Sequence, residues 1–178
     1  MNATNIYATP LKNHLLTTIG TLRDLALSDS DMKSGKHAAA ILHKNHIVAV
    51  GVSHSSPRTL TGPCSVHAEQ DALSAFHATM SKRGCVASNR KLTAVLSSRK
   101  KYDMIVIRCN KKGQILNSEP CKDCVEKIQA APYIRKVYFT TVMFWLSFEP
   151  HRAARGSTDP GERKSCVKPV VVDAEYLL

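Results

Sequence analysis

The chain has 178 residues, the length of a single domain on the usual scale of one per about 150 residues. Its 43% hydrophobic and 22% charged content excludes a disordered or collagen-like chain and allows a sizeable core. With 25 Lys+Arg against 14 Asp+Glu, a formal net charge of +11 suggests an anionic partner such as a nucleotide phosphate, a nucleic acid or an acidic surface. No stretch approaches the roughly 20 apolar residues that span a bilayer, and the polar start MNATNIYATPLKNHLL lacks a secretory apolar region. The expectation is a soluble, intracellular, cytoplasmic protein without a membrane partner. In that compartment the six cysteines, Cys64, Cys85, Cys109, Cys121, Cys124 and Cys166, suggest metal or thiol chemistry rather than a disulfide framework.

Between Leu11 and Leu27 the positions of Leu15, Ile19, Leu22 and Leu25 or Leu27 recur every three or four residues and predict an amphipathic helix. After the polar break SDSDMKSGK, the runs HAAAILH and HIVAVGVS, separated by Lys44 and Asn45, predict two strands of a hairpin. The second run is apolar on both faces and is expected at the centre of a sheet. VHAEQDALSAFHATM places Ala68, Ala72, Leu73 and Phe76 on one side of a helix, with Ser65 as its N-cap. Ser81 to Lys101 carries no clean period and reads as an insertion or lid.

YDMIVIRC follows as a strand that ends in the turn Asn110 to Gly113. Pro120 suits the first turn of a helix over CKDCVEKIQAA, which Pro132 stops, and RKVYFTTV is a strand. Helix, strand, strand, helix, strand, helix, strand is the order of a three-layer α/β domain, with a mixed sheet because its first strands form a hairpin. Residues 11–150 would form this domain, with a basic insertion near 78–101. Residues 151–178 would be a charged extension whose segment HRAARGSTDPGERKSCVKP is turn-rich and mobile.

Two short motifs open the two middle helices: His67-Ala68-Glu69, and Pro120-Cys121 followed by Cys124. One imidazole and two thiolates make three zinc ligands, the number used when a fourth tetrahedral position is left for water. A helix N-terminus also favours thiolate, and residues three apart share a helix face. Zinc lowers the pKa of the water it binds to about 7. Hydrolytic loss of an amine further requires a proton carrier, for which Glu69 is the candidate and Asp71 the weaker one.

HAE with PCxxC resembles the zinc-dependent cytidine and deoxycytidylate deaminase superfamily. SVHAEQDAL, NSEPCKDC and RKVYFTT are similar to family segments too, so the likeness runs over about residues 11 to 140. It implies an α/β/α sandwich around a mixed central sheet, a Zn2+ cofactor held by His67, Cys121 and Cys124, and Glu69 as proton shuttle. The substrate it implies is cytidine, deoxycytidine or dCMP, contacted by Ser53, His54, Ala68 and Phe139; relatives are often dimers or larger. Two features depart from the pattern. Family members commonly carry an Asn after the second strand where this chain reads Gly51-Val52-Ser53-His54, so Ser53 or His54 would replace it. The 53 residues between His67 and Cys121 exceed the gap in many compact relatives.

Other readings stay open at this level. Cys64-x-x-His67 with Cys121-x-x-Cys124 would make a closed structural zinc in a non-catalytic nucleic-acid-binding protein. From Ser81 to Lys112 ten Lys and Arg face Asp103 alone, either a solvated face or a phosphate-attracting wall for single-stranded DNA or RNA. Phe144, Trp145 and Phe148 before His151, Arg152 and Arg155 fit base stacking, or equally another strand ending in a basic turn. Adenine- and guanine-type bases share the same zinc chemistry. His37, His43 and His46 read as ordinary residues flanking the hairpin, and Cys85, Cys109 and Cys166 as incidental thiols.

Overall fold

A computed structural model describes residues 13–32, 35–56, 64–81, 102–141, 145–148 and 167–170. Its elements in chain order are α1 (Asn13–Asp29), β1 (Lys36–His43), β2 (His46–Val52), β3 (His54–Ser56), β4 (Cys64–Val66), α2 (Ala68–Met80), β5 (Tyr102–Cys109), β6 (Ile115–Leu116), α3 (Lys122–Gln129), β7 (Ile134–Thr140), β8 (Trp145–Phe148) and β9 (Val167–Val170). The main sheet runs β2-β1-β5-β7-β8-β9, with β6 paired to β5. All its pairs are antiparallel except β5 with β7. α3 lies in the connection between these two parallel strands, as such a crossover requires.

The alternation of side chains along the strands divides the core in two. Ala39, Ile41, Met104, Val106, Val137 and Phe139 pack with Ala72 and Phe76 of α2 and Ile128 of α3. Ala38, Ala40, Leu42, Ile105 and Ile107 pack on the opposite face with Leu15, Leu22 and Ala26 of α1. The result is the expected three-layer α/β/α arrangement around a mixed sheet. Under α2, Phe76 stacks on Tyr133 and meets Tyr102 edge-on, with ring centroids 4.8 Å apart in both pairs. Such pairs add about 0.5–1.5 kcal/mol beyond the area they bury.

β1, not β2, is central. β2 ends the sheet, and Ile47 and Val50 are 40% and 37% exposed. Apolarity on both faces of β2 therefore does not mark a central position: its inner face serves α2, and its other face is only partly covered, by the α1 cluster at Val52. Gly51 is what lets α2 approach. A Cβ there would lie 2.1 Å from the Ala72 nitrogen and 2.5 Å from the Ala68 oxygen, so helix and strand touch backbone to backbone. The hairpin itself turns on Lys44, at φ 60°.

Neither middle helix starts where its sequence suggested. Ser65 lies in β4, paired with Ser55, and His67 is the N-cap of α2. Pro120 precedes the cap, and Cys121 is the N-cap of α3. Val167–Val170, inside the expected tail, pairs with β8 and extends the sheet; Val at 167 and 170 suits a strand. Residues 82–101, most of the expected basic insertion, and 151–166 lie outside the described residues. No described helix is long and apolar enough to cross a membrane.

Candidate metal centre

The two ligand-bearing helices present their N-caps to one point. His67 has extended backbone (φ −78°, ψ 149°), and its carbonyl accepts the Asp71 N–H at 3.0 Å. Cys121 repeats the arrangement (φ −67°, ψ 166°), accepting the Val125 N–H at 2.9 Å. In neither case does the side chain cap the helix. Imidazole and thiol are therefore left to meet each other, and Cys124 brings a second sulfur one turn into α3.

His67 Nδ1 lies 3.4 Å from Cys121 Sγ and 3.3 Å from Cys124 Sγ. All three donor atoms fall within 4.8 Å of one another, the one such group of three or more among the described residues. Tetrahedral zinc with Zn–S near 2.3 Å and Zn–N near 2.0 Å puts nitrogen and sulfur about 3.5 Å apart. Donor type, number and spacing thus fit zinc. Cys64 belongs to β4 through its backbone, but its side chain lies outside the description, as do Cys85 and Cys166.

Burial pushes the Cys124 thiol up, and Glu69 and Cys121 beside it push the same way. The helix N-terminus does not prevail here, because its dipole supplies only about 0.3–1 kcal/mol against the desolvation of a buried anion. A bound metal would reverse the balance, since a coordinating thiol is deprotonated outright. Gln70 Nε2 approaches Cys124 Sγ at 4.0 Å.

Glu69, 4% exposed, lies in the first turn of α2 with its carboxyl beside Cys124. Burial raises its pKa above the usual carboxylate range, with His67 and Cys124 opposing. Its Oε2 is buried and has no hydrogen-bond partner. An unpaired, desolvated carboxyl oxygen beside a metal-type cluster is free to bind a proton or a ligand.

Asp71 plays a different part: its Oδ2 accepts the Val52 N–H at 3.0 Å and ties the start of α2 to the end of β2. Ser53 is 4% exposed; its Oγ accepts the His37 N–H and shares a hydrogen bond with Ser30 Oγ, both at 3.0 Å. His54 is half-buried and holds Val52 O through Nδ1 at 3.0 Å. Ala68 and Phe139 are buried in the core. Trp145 and Phe148 lie in β8, with side chains outside the description, as are Phe144, His151, Arg152 and Arg155.

Sequence reading missed what holds Cys121 in place. Ser118 Oγ donates to Val106 O and pairs with Thr140 Oγ1, both at 2.8 Å, and accepts the Thr140 N–H at 2.8 Å. Ser118 N–H closes the knot on Thr140 O at 2.9 Å. Both residues are buried, so the segment entering α3 is pinned to β5 and β7. The available signal was a lone Ser two residues before Pro-Cys, in a stretch with no period.

No family model matches this chain, nor does any curated protein. Among solved structures it is similar to the dCMP deaminase of cyanophage S-TIM5, with 22% identity over 71% of this chain and 82% of that one and a TM-score of 0.40. The cytidine deaminase of Mycobacterium leprae follows at 17% identity, 66% and 84% coverage and a TM-score of 0.40. That of Mycobacterium tuberculosis shows 16% identity, 64% and 73% coverage and a TM-score of 0.39.

Proposed function

We propose that this chain is a zinc-dependent hydrolase that removes the exocyclic amine of a cytosine-type nucleoside or nucleotide: cytidine, deoxycytidine or dCMP. The observation that supports it is the convergence of His67 Nδ1, Cys121 Sγ and Cys124 Sγ beside the unpaired, buried carboxyl oxygen of Glu69. His67, Cys121 and Cys124 would hold the metal, whose contribution when bound is to activate water for attack.

Glu69 carries the protons. It takes one from the attacking water, delivers it to the ring nitrogen, and then serves the departing amine, so that the C–N bond breaks, a carbonyl forms and ammonia leaves. Burial, which raises the pKa of this carboxyl above its ordinary value, favours the protonated form that a proton donor needs. His54, two residues beyond the end of β2 and paired through β3 with Val66, is the substrate contact this reading retains.

The test is ammonia release by zinc-loaded protein from cytidine, deoxycytidine, their monophosphates and a cytosine-containing oligonucleotide, with Glu69→Ala in parallel. Glu69-dependent release from a monomeric substrate is expected. Release from the oligonucleotide alone would shift the assignment to polynucleotide deamination, the reading that the charge of +11 favours. Silence on every substrate with zinc bound would remove cytosine deamination altogether.

A further inference from the structure

Three buried side-chain nitrogen or oxygen atoms lack a hydrogen-bond partner among the described residues: Glu69 Oε2, His37 Nε2 and Arg108 Nε. All three belong to the same side of the sheet. His37 stands two residues before Ala39 in β1, and Arg108 two residues after Val106 in β5. Ala39 and Val106 face α2 and α3, so strand alternation puts His37 and Arg108 on that face as well. They are also direct partners across the β1–β5 ladder.

His37 interacts with His67 of the metal-type cluster, and Arg108 stands beside His37 across the ladder. His37 pairs with Ser53, which leads into β3 and through β4 to His67; the imidazoles of His37 and His67 are close enough for their charges to interact. Arg108 pairs on its other side with Leu116 of β6, from which the chain passes through Ser118 to Cys121. Among the described residues no acid pairs with Arg108: the ion pairs there join Arg23 to Asp24 and Arg135 to Asp103. Asp103, the one acid in the basic run, is thereby spent on Arg135.

The guanidinium also has a fitted seat. A Cβ at Gly35 would fall 2.8 Å from Arg108 Nε and 3.0 Å from Nη2, so the group lies against bare backbone that any larger residue would occupy. Leaving such groups buried and unpaired is costly, and more so for a charged group than for a neutral one. A ligand that supplies the missing acceptors recovers that cost.

We propose that His37 and Arg108 form an oxyanion-recognition pair that makes this site selective for a substrate bearing a terminal phosphate monoester. The proposal rests on the reading above only in placing the substrate at the His67 cluster. A planar guanidinium fork and one imidazole N–H suit the oxygens of a single phosphate, and Arg holds its charge at every working pH. A phosphodiester in a polynucleotide offers related oxygens. The half-buried Arg108 and a single adjacent imidazole favour the compact terminal group.

The experiment measures binding by calorimetry, and turnover alongside, for zinc-loaded full-length protein with dCMP, deoxycytidine and a cytosine-containing trinucleotide without terminal phosphate. Arg108→Gln should weaken dCMP binding on the order of 10- to 100-fold, the usual scale for a lost charge-assisted hydrogen bond, while deoxycytidine changes less than about twofold at unchanged zinc content and melting temperature. His37→Gln and Gly35→Ala should move dCMP in the same direction by less, and they decide the matter if Arg108→Gln does not fold. Equal weakening of dCMP and deoxycytidine, weakening of the trinucleotide alone, or no binding of dCMP to the unmodified protein would overturn the proposal. Absence of ammonia from every substrate would defeat the proposed reaction, while the binding arm still decides the phosphate pair.

Discussion

His67 Nδ1 lies 3.3 Å from Cys124 Sγ, although 57 positions separate the two residues in the chain. The contact depends on two helix starts being held against each other, and no local pattern supplies it. Cys124→Ser should therefore lower zinc content several-fold by elemental analysis, since a serine oxygen is a poor replacement for a thiolate on zinc. X-ray absorption of the unmodified protein should show two sulfurs, one nitrogen and one non-protein oxygen. Three sulfurs would instead identify Cys64 as a fourth ligand and a closed site.

Glu69→Gln keeps the volume and removes the proton carrier. The expected loss in kcat is about 10²- to 10⁴-fold, the usual contribution of general acid–base catalysis, with zinc content retained. Turnover within a few-fold of the unmodified protein would show that the carboxyl carries no proton in the reaction.

Ser118→Ala deletes the hydroxyl that ties Val106 and Thr140 to the segment before Cys121. Leaving buried partners unsatisfied should cost about 1–3 kcal/mol in urea unfolding. Because the knot sets the entry into α3, zinc affinity should fall as well. Unchanged zinc affinity at reduced stability would separate the knot from the metal centre.

Gly51→Ala places a methyl 2.1 Å from the Ala72 nitrogen. The obstacle is backbone, so α2 must move off β2, and overpacking of this kind typically costs about 1–3 kcal/mol. The displacement would carry His67 and Glu69 with it. Calorimetric melting together with zinc titration checks both effects, and a variant as stable as the parent would contradict the close packing.

The pKa of His37 is lowered to about 4, first by burial and then by the charges of Arg108 and His67. The folded protein therefore favours the neutral ring. Its contribution to stability is whole above the unfolded value of 6.5, and is lost as pH falls through about 4. Imidazole proton resonances followed against pH should show His37 titrating well below the ordinary imidazole value of 6.5. A normal midpoint for His37 would contradict its buried, cation-flanked setting.

Much of this architecture is legible along the chain. The three- and four-residue spacing through Leu15, Ile19 and Leu22, the Lys44–Asn45 turn and the unbroken run of β5 are local patterns, and they reproduce α1, the hairpin and the third long strand in order. The grouping of His67, Cys121 and Cys124 was legible because metal chemistry restricts residue type and short-range spacing. β3, β4 and β6 were not: strands of three or two residues contain too little of a period to distinguish them from turns. The caps were displaced for a related reason, since pairing of β3 with β4 draws Ser65 into a strand and leaves His67 to begin α2.

The amino-acid sequence by itself thus determined the succession of helices and strands and the chemical identity of the metal-type donors, both properties of neighbouring residues. Tertiary structure alone decided that β2 is an edge strand, that two N-caps meet, that Ser118 pins Cys121, and that His37 stands opposite Arg108. Those relationships depend on sheet order and on which face each helix covers, and these are set by burial and backbone pairing between segments distant in the chain.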